Sequence, residues 1–145
     1  MNVDEANVAN APAERFTASI GLHEDFIVAR AAGELDYTSA GLLHLQVKDA
    51  WEATGSRGLV LDLSGVTFCD SMGVGVLVLL LRQSREQQST LVLSGMPARL
   101  ERILAITGLR TVFEVEASVE EAVQLVQASP RSKASPQTSG EAASL

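Results

Sequence analysis

The chain is poor in cysteine, in aromatic residues and in basic side chains, and each shortage excludes a class of structure. Cys69 is the single cysteine among 145 residues, which rules out an intrachain disulfide and a metal site built from several thiolates. Aromatic residues make up 4 % of the sequence, so the core must consist mainly of Val, Leu, Ile and Ala. The net charge is −7, and this acidity argues against direct binding of nucleic acid through its phosphates.

The sequence also lacks a long apolar run and a targeting signal. The longest apolar stretch, 74–81, contains Gly75 and is far shorter than the roughly 20 residues that cross a bilayer. The N-terminal segment MNVDEANVANAPAERF has neither the basic start nor the apolar core of a signal peptide. We therefore expect a cytoplasmic protein that does not contact a membrane.

Composition changes at both ends of the chain and predicts one folded unit between two flexible segments. Residues 1–14 are small and polar, and residues 129–145 are rich in Ser, Pro and Ala, with few side chains to bury. We predict a flexible N-terminus over 1–14, a folded domain over 15–128 and a disordered tail over 129–145. Across the chain, 46 % hydrophobic and 20 % charged residues are typical of a globular protein.

Strand-like and helix-like patterns alternate within residues 15–128. Short apolar segments predict five strands, at 16–20, 26–36, 59–63, 90–94 and 112–115. Apolar residues three and four apart predict four helices, which begin after Thr38 or Ser39, at Ser71, after Pro97 and after Ser118. The order β-β-α-β-α-β-α-β-α predicts an α/β fold with a mixed, mostly parallel sheet whose first two strands pair antiparallel.

The segment TFCDSMGVGV, residues 67–76, joins the central strand to the second predicted helix. Asp70 occupies the N-cap position, where its carboxylate accepts hydrogen bonds from free amides of the first turn. Ser71 follows in that first turn, with its hydroxyl near solvent. Gly73 and Gly75 each cost a helix about 1 kcal/mol relative to alanine. One explanation for these glycines is that another surface approaches the turn closely.

The helix that begins at Ser71 is apolar on two sides. At about 100° per residue, one stripe is sufficient to face the sheet and comprises Val74, Leu77, Val78 and Leu81. The opposite side comprises Met72, Val76, Leu79 and Leu80. Either a neighbouring element or a binding partner must cover this second side. Because the row runs beside an exposed serine, we expect a partner.

The residues around Ser71 do not form a catalytic serine site. A serine nucleophile requires a base within hydrogen-bonding distance and a third group that orients this base. Neither Gly-x-Ser-x-Gly nor Ser-x-x-Lys occurs here, and we interpret His23 and His44 as solvent-facing. Gly73-x-Gly75 lacks the third glycine of a dinucleotide fingerprint and the lysine of a P-loop. We predict no enzymatic activity, no metal and no cofactor.

Phosphorylation is a different use for Ser71. Free amides and the positive end of the helix dipole stabilise a phosphate at this position, whereas Asp70 repels it. The phosphate places nearly two negative charges in an otherwise apolar contact, and their desolvation costs several kcal/mol. Phosphorylation is therefore expected to release a partner bound at this helix. The alternative is a plain serine at the start of a helix.

The stretch LVLDLSGVTFCDSMG, residues 59–73, resembles the central signature of STAS domains, in particular that of bacterial anti-sigma factor antagonists. The resemblance extends upstream to Gly33-Glu34-Leu35-Asp36. Downstream it includes LVLS at 91–94 and ITGL at 106–109, so that it covers about residues 16–128. It implies a small mixed sheet with helices packed on it, used for protein binding.

The resemblance further implies binding to an anti-sigma factor, which frees a sigma factor for transcription. In the family this anti-sigma factor is also a serine kinase that phosphorylates the serine matching Ser71, and a metal-dependent serine phosphatase removes the phosphate. Many members have Ser or Thr where this chain has Met72, which leaves Ser71 as the sole hydroxyl of the turn. The expected partner-binding residues are Asp36, Asp70, Ser71, Met72, Gly73, Val76, Leu79 and Leu80.

Two other functions remain open from the sequence. The chain is alternatively a STAS adaptor subunit of another signalling or transport complex, or a nucleotide-binding STAS domain. The Asp-Ser pair argues against a transport subunit that is not phosphorylated. The missing P-loop lysine argues against nucleotide binding.

Overall fold

A computed structural model of the protein describes residues 15–128, and the predicted flexible segments 1–14 and 129–145 lie outside these residues. The described elements are β1 (Thr17–Leu22), β2 (Ile27–Leu35), α1 (Ala40–Thr54), β3 (Gly58–Cys69), α2 (Ser71–Glu86), β4 (Thr90–Ser94), α3 (Ala98–Ile106), β5 (Glu114–Glu116) and α4 (Val119–Ala128). The strands form one sheet in sequence order, in which β1 and β2 pair antiparallel and all other pairs are parallel. This confirms the predicted α/β fold with a mixed five-stranded sheet and four helices.

The main core lies on the face of the sheet that α1, α2 and α3 cover. Alternate residues of β3 point into it, and Leu59, Leu61 and Leu63 are fully buried. Trp51 and Phe113 are the aromatic residues among the buried members of this cluster. Aliphatic side chains thus supply most of the core, as the scarcity of aromatic residues predicts.

Helix α4 covers part of the opposite face of the sheet. Its Ala122 and Val126 pack in a smaller buried cluster with Val28, Val60 and Val92 of the three central strands. The Ser118 hydroxyl accepts a hydrogen bond from the Glu121 amide at 3.2 Å, which confirms the predicted N-cap of this helix. None of the helices described in 15–128 is both long enough and apolar enough to cross a bilayer.

Strand β1 ends at Leu22 instead of residue 20, and strands β3 and β5 differ from their predicted bounds for local physical reasons. Strand β3 continues to Cys69, beyond the predicted 59–63, because its later part still pairs with β2. This pairing contains two register shifts, and Ser64 and Thr67 in this part of the strand are exposed. Those exposed polar residues interrupt the apolar pattern that predicts a strand. Strand β5 begins at Glu114 instead of Val112, because Arg110–Val112 forms a 3-10 turn.

Candidate partner-binding and phosphorylation site

Ser71 is the first residue of α2, directly beyond the carboxyl end of the central strand β3, and it is exposed. Strands β2 and β3 are parallel, and Leu35 pairs with Cys69 at their ends. The chain therefore leaves both strands at the same edge of the sheet. The β2–α1 loop, which begins at Asp36, lies beside the turn that carries Ser71.

The Asp70 carboxylate joins these two segments. Its Oδ1 accepts a hydrogen bond from the Gly73 amide at 2.9 Å, which confirms the predicted N-cap of α2. Its Oδ2 accepts a hydrogen bond from the Tyr37 amide at 3.2 Å. One side chain thereby holds the start of α2 against the β2–α1 loop and fixes where the Ser71 hydroxyl is displayed.

Asp36 orders the β2–α1 loop around its own side chain. Its Oδ1 accepts hydrogen bonds from the Thr38 hydroxyl at 2.6 Å and from the Thr38 amide at 2.9 Å. The hydroxyl bond is the main reason that the pKa of Asp36 is lowered, so the carboxylate is ionised at neutral pH. Ser39 occupies the predicted N-cap position of α1, but its hydroxyl makes no cap bond and instead donates to the Glu34 carbonyl oxygen at 2.7 Å.

Two large exposed side chains lie on the two segments that Asp70 joins. Met72 is 55 % exposed and Tyr37 is 74 % exposed. Tyr37 was missed in the sequence analysis, although its position directly after Asp36 was a signal that could have found it. The turn with the exposed Ser71 and the loop bound to it thus carry two large exposed side chains and two carboxylates, a combination that fits a protein-binding surface better than a solvated turn.

Val76, Leu80 and Gly73 do not belong to the exposed surface, contrary to the prediction. Val76 is 5 % exposed and Leu80 is fully buried, because α1 packs on the side of α2 that was expected to face a partner. Gly73 is also buried, with the Leu35 carbonyl oxygen and the Cys69 Sγ against the place where a Cβ would lie. The neighbouring helix thus covers most of the predicted row, in which Met72 remains exposed and Leu79 half-buried.

A shallow apolar groove remains between α1 and α2, and it starts at Met72. We refer to it as the interhelical groove, and it is lined by Ala40, Gly41, His44, Met72, Gly75, Val76 and Leu79. His44 is half-buried instead of solvent-facing, and its Nε2 lies 2.9 Å from the Gln83 Nε2. This contact joins the two helices beyond the groove.

The two histidines and the Cys69 thiol are engaged in ways that do not suit nucleophilic catalysis at Ser71. His44 contacts Gln83, and the His23 ring stacks on Phe26 with ring centroids 4.5 Å apart. Burial, together with the charge of Asp70, raises the pKa of the Cys69 thiol to about 11, so this thiol is protonated at neutral pH. Among residues 15–128, no cluster of three or more His, Cys, Asp or Glu side chains could hold a metal ion.

Comparison with known proteins places this chain in a family. The family model described as the STAS domain matches residues 18–122. The chain belongs to the STAS domain family. A relative from Listeria monocytogenes, named anti-sigma-B factor antagonist, is 40 % identical over 95 residues, which are 63 % of this chain and 80 % of that protein. The anti-sigma-B factor antagonist of Bacillus subtilis is 32 % identical over 102 residues, or 70 % of this chain and 92 % of its own length.

Solved structures confirm the STAS fold. The anti-sigma factor antagonist SpoIIAA in its unphosphorylated form is 20 % identical and has a TM-score of 0.67, with 77 % of this chain and 96 % of that chain covered. SpoIIAA of Bacillus in its phosphorylated form has a TM-score of 0.61, with 76 % of this chain and 99 % of that chain covered. At such identities the likeness concerns the fold alone.

We expect Asp70→Ala to lower the free energy of unfolding of the STAS domain by about 1–2 kcal/mol. The substitution removes the hydrogen bonds from the Gly73 amide and the Tyr37 amide. Urea denaturation measures the loss. Asp70→Asn is the matched control, because asparagine also caps helices well, and it should lose less than half as much. Equal losses in the two variants would contradict the capping role.

Proposed function

We propose that the protein is an anti-sigma factor antagonist that is regulated by phosphorylation of Ser71. It binds an anti-sigma factor that is also a serine kinase, and this binding releases a sigma factor for transcription. The observation that carries the proposal is the exposed Ser71 hydroxyl at the start of α2, fixed by Asp70 and bordered by Met72 and Tyr37. The names of the relatives from Listeria monocytogenes and Bacillus subtilis support the antagonist role.

The geometry of Ser71 suits an acceptor of a phosphoryl group. Ser71 is exposed at the start of a helix that Asp70 caps, while His44 contacts Gln83 and His23 stacks on Phe26. The kinase then supplies the catalytic base and ATP, the Ser71 oxygen attacks the γ-phosphorus, and ADP leaves as the hydroxyl proton passes to that base. The existence of unphosphorylated and phosphorylated forms of SpoIIAA, a protein of the same fold, supports phosphorylation of this chain.

The charges around Ser71 explain how a phosphate would end the interaction. Asp36 and Asp70 already place two carboxylates beside the exposed Met72 and Tyr37. A phosphate adds close to two further negative charges at pH 7, and a partner that covers this surface must desolvate them. A serine phosphatase that removes the phosphate restores binding, so that partner switching follows the state of one side chain.

Phosphosite mapping with the purified anti-sigma factor kinase from the same organism tests the proposal. The full-length chain is incubated with this kinase and ATP, and mass spectrometry is expected to find one phosphate, on Ser71. Ser71→Ala should bind the kinase but take up no phosphate, whereas Thr67→Ala, which removes a nearby exposed hydroxyl, should be phosphorylated normally. A chain that neither binds the kinase nor becomes phosphorylated would refute the proposed function.

A further inference from the structure

We propose that the interhelical groove receives an aliphatic side chain of the anti-sigma factor, and that Gly41 and Gly75 keep the groove open for it. This inference rests on the proposed function, and it names the part of the surface that selects the partner. The occupant is a segment of the anti-sigma factor with a Leu, Ile or Met side chain and, about one helical turn away, an Asp or Glu.

The two glycines at the start of α2 differ in what surrounds them. Gly73 has an intramolecular reason to be glycine, because a Cβ there would meet the Leu35 carbonyl oxygen and the Cys69 Sγ. Gly75 has none, since a Cβ built there would have no atom within 4 Å apart from its chain neighbours and the nearby backbone of its own helix. Glycine weakens the interior of a helix, and no close contact with another part of this chain requires a glycine at position 75.

Gly41, on the facing helix α1, has equally open surroundings. It lies in the first turn of α1, is exposed, and a Cβ built there would also have no neighbour within 4 Å. Gly41 and Gly75 line the same groove. Two helices therefore each present a glycine to one shared space, and a side chain at either position would occupy that space.

The lining and the surrounding charges define the occupant. Ala40, Met72, Val76 and Leu79 make the lining mostly apolar, which suits an aliphatic side chain. At the Ser71 end of the groove lie the carboxylates of Asp36 and Asp70, which repel an acidic partner group. The exposed Arg82 follows Leu79 by three residues on α2, so an acidic side chain of the partner is placed favourably at this opposite end.

Binding of the purified anti-sigma factor kinase, measured by calorimetry, tests the groove with variants that fill it. Gly75→Leu and Gly41→Leu are expected to weaken binding at least tenfold without lowering the melting temperature, because leucine favours a helix and its Cβ meets no clash. Ala105→Leu introduces the same side chain at an exposed position of α3 and should bind like the wild type. Arg82→Glu is expected to weaken binding at least tenfold as well.

The outcomes separate this inference from the proposed function. If the wild-type chain binds and Gly75→Leu binds equally well, the groove is not used and the inference fails, while the proposed function stands. If Arg82→Glu binds like the wild type, the predicted Asp or Glu of the partner segment does not lie at Arg82, and this part of the inference is refuted. If the wild-type chain does not bind the kinase at all, both the proposed function and the groove are refuted.

Discussion

Ser71→Asp is expected to bind the anti-sigma factor kinase at least 100-fold more weakly than the wild-type chain, which corresponds to about 2.7 kcal/mol. The added carboxylate stands next to Asp70 and beside the exposed Met72. A partner that covers this surface must remove water from the new charge. None of the hydrogen bonds and ion pairs described above places a Lys or Arg side chain beside position 71, so this charge would be desolvated without a counterion from this chain. Isothermal titration calorimetry of the two proteins with the same kinase preparation measures the difference.

Ser71→Asn is the matched control, because asparagine has nearly the same size as aspartate and carries no charge. We expect it to lose less than tenfold in affinity, and Ser71→Ala to bind like the wild type. The Asp variant should remain folded, since a negative charge in the first turn of a helix is favourable by about 0.3–1 kcal/mol, and its circular dichroism melting curve checks this. Equal affinities of the Asp and Asn variants would rule out a charge-based switch.

Gly73→Ala is expected to destabilise the protein by roughly 3 kcal/mol, the upper end for overpacking of a filled site. The new methyl group would collide with the Leu35 carbonyl oxygen and would lie 2.7 Å from the Cys69 Sγ. The carbonyl oxygen belongs to the backbone at the end of β2, so the collision is relieved only if α2 moves away from the sheet. The melting temperature should fall by about 10 °C for a domain of this size.

Gly75→Ala is the control for the helical cost of glycine, because it makes the same substitution two residues later on α2, where a Cβ meets nothing within 4 Å. Alanine there should stabilise the protein by up to about 1 kcal/mol. The two variants are therefore expected to shift the melting temperature in opposite directions. A stabilisation of similar size in both would mean that helix propensity, and not the contact with Leu35, governs Gly73.

Local patterns predicted most of the fold because the elements of this chain carry clear periodicities. The continuous apolar run of β3 and the helical spacing that follows it require crossovers, and crossovers require parallel strands. The Asp-Ser pair after β3 likewise predicted the N-cap of α2 and an exposed serine. Polar residues within β3 hid its full length, because the strand pattern depends on apolar side chains.

Packing between elements accounts for what the sequence did not reveal at the site. Helical periodicity shows that two sides of α2 are apolar, but the coverage of Val76 and Leu80 depends on where α1 docks. The same limit applies to His44, whose contact with Gln83 joins residues on two different helices. The sequence also shows a glycine at position 73, but it does not show that the Leu35 carbonyl oxygen lies against this glycine. That contact depends on the register between β2 and β3.

The carboxylate of Asp70 has a consequence for anyone who exchanges parts between STAS domains. It accepts hydrogen bonds from Gly73, in its own turn, and from Tyr37, on a loop that is 33 residues away in sequence. A graft of the α2 turn alone would leave one oxygen of this carboxylate facing a foreign loop. The smallest portable unit of this surface is therefore discontinuous and comprises both the β2–α1 loop and the first turn of α2.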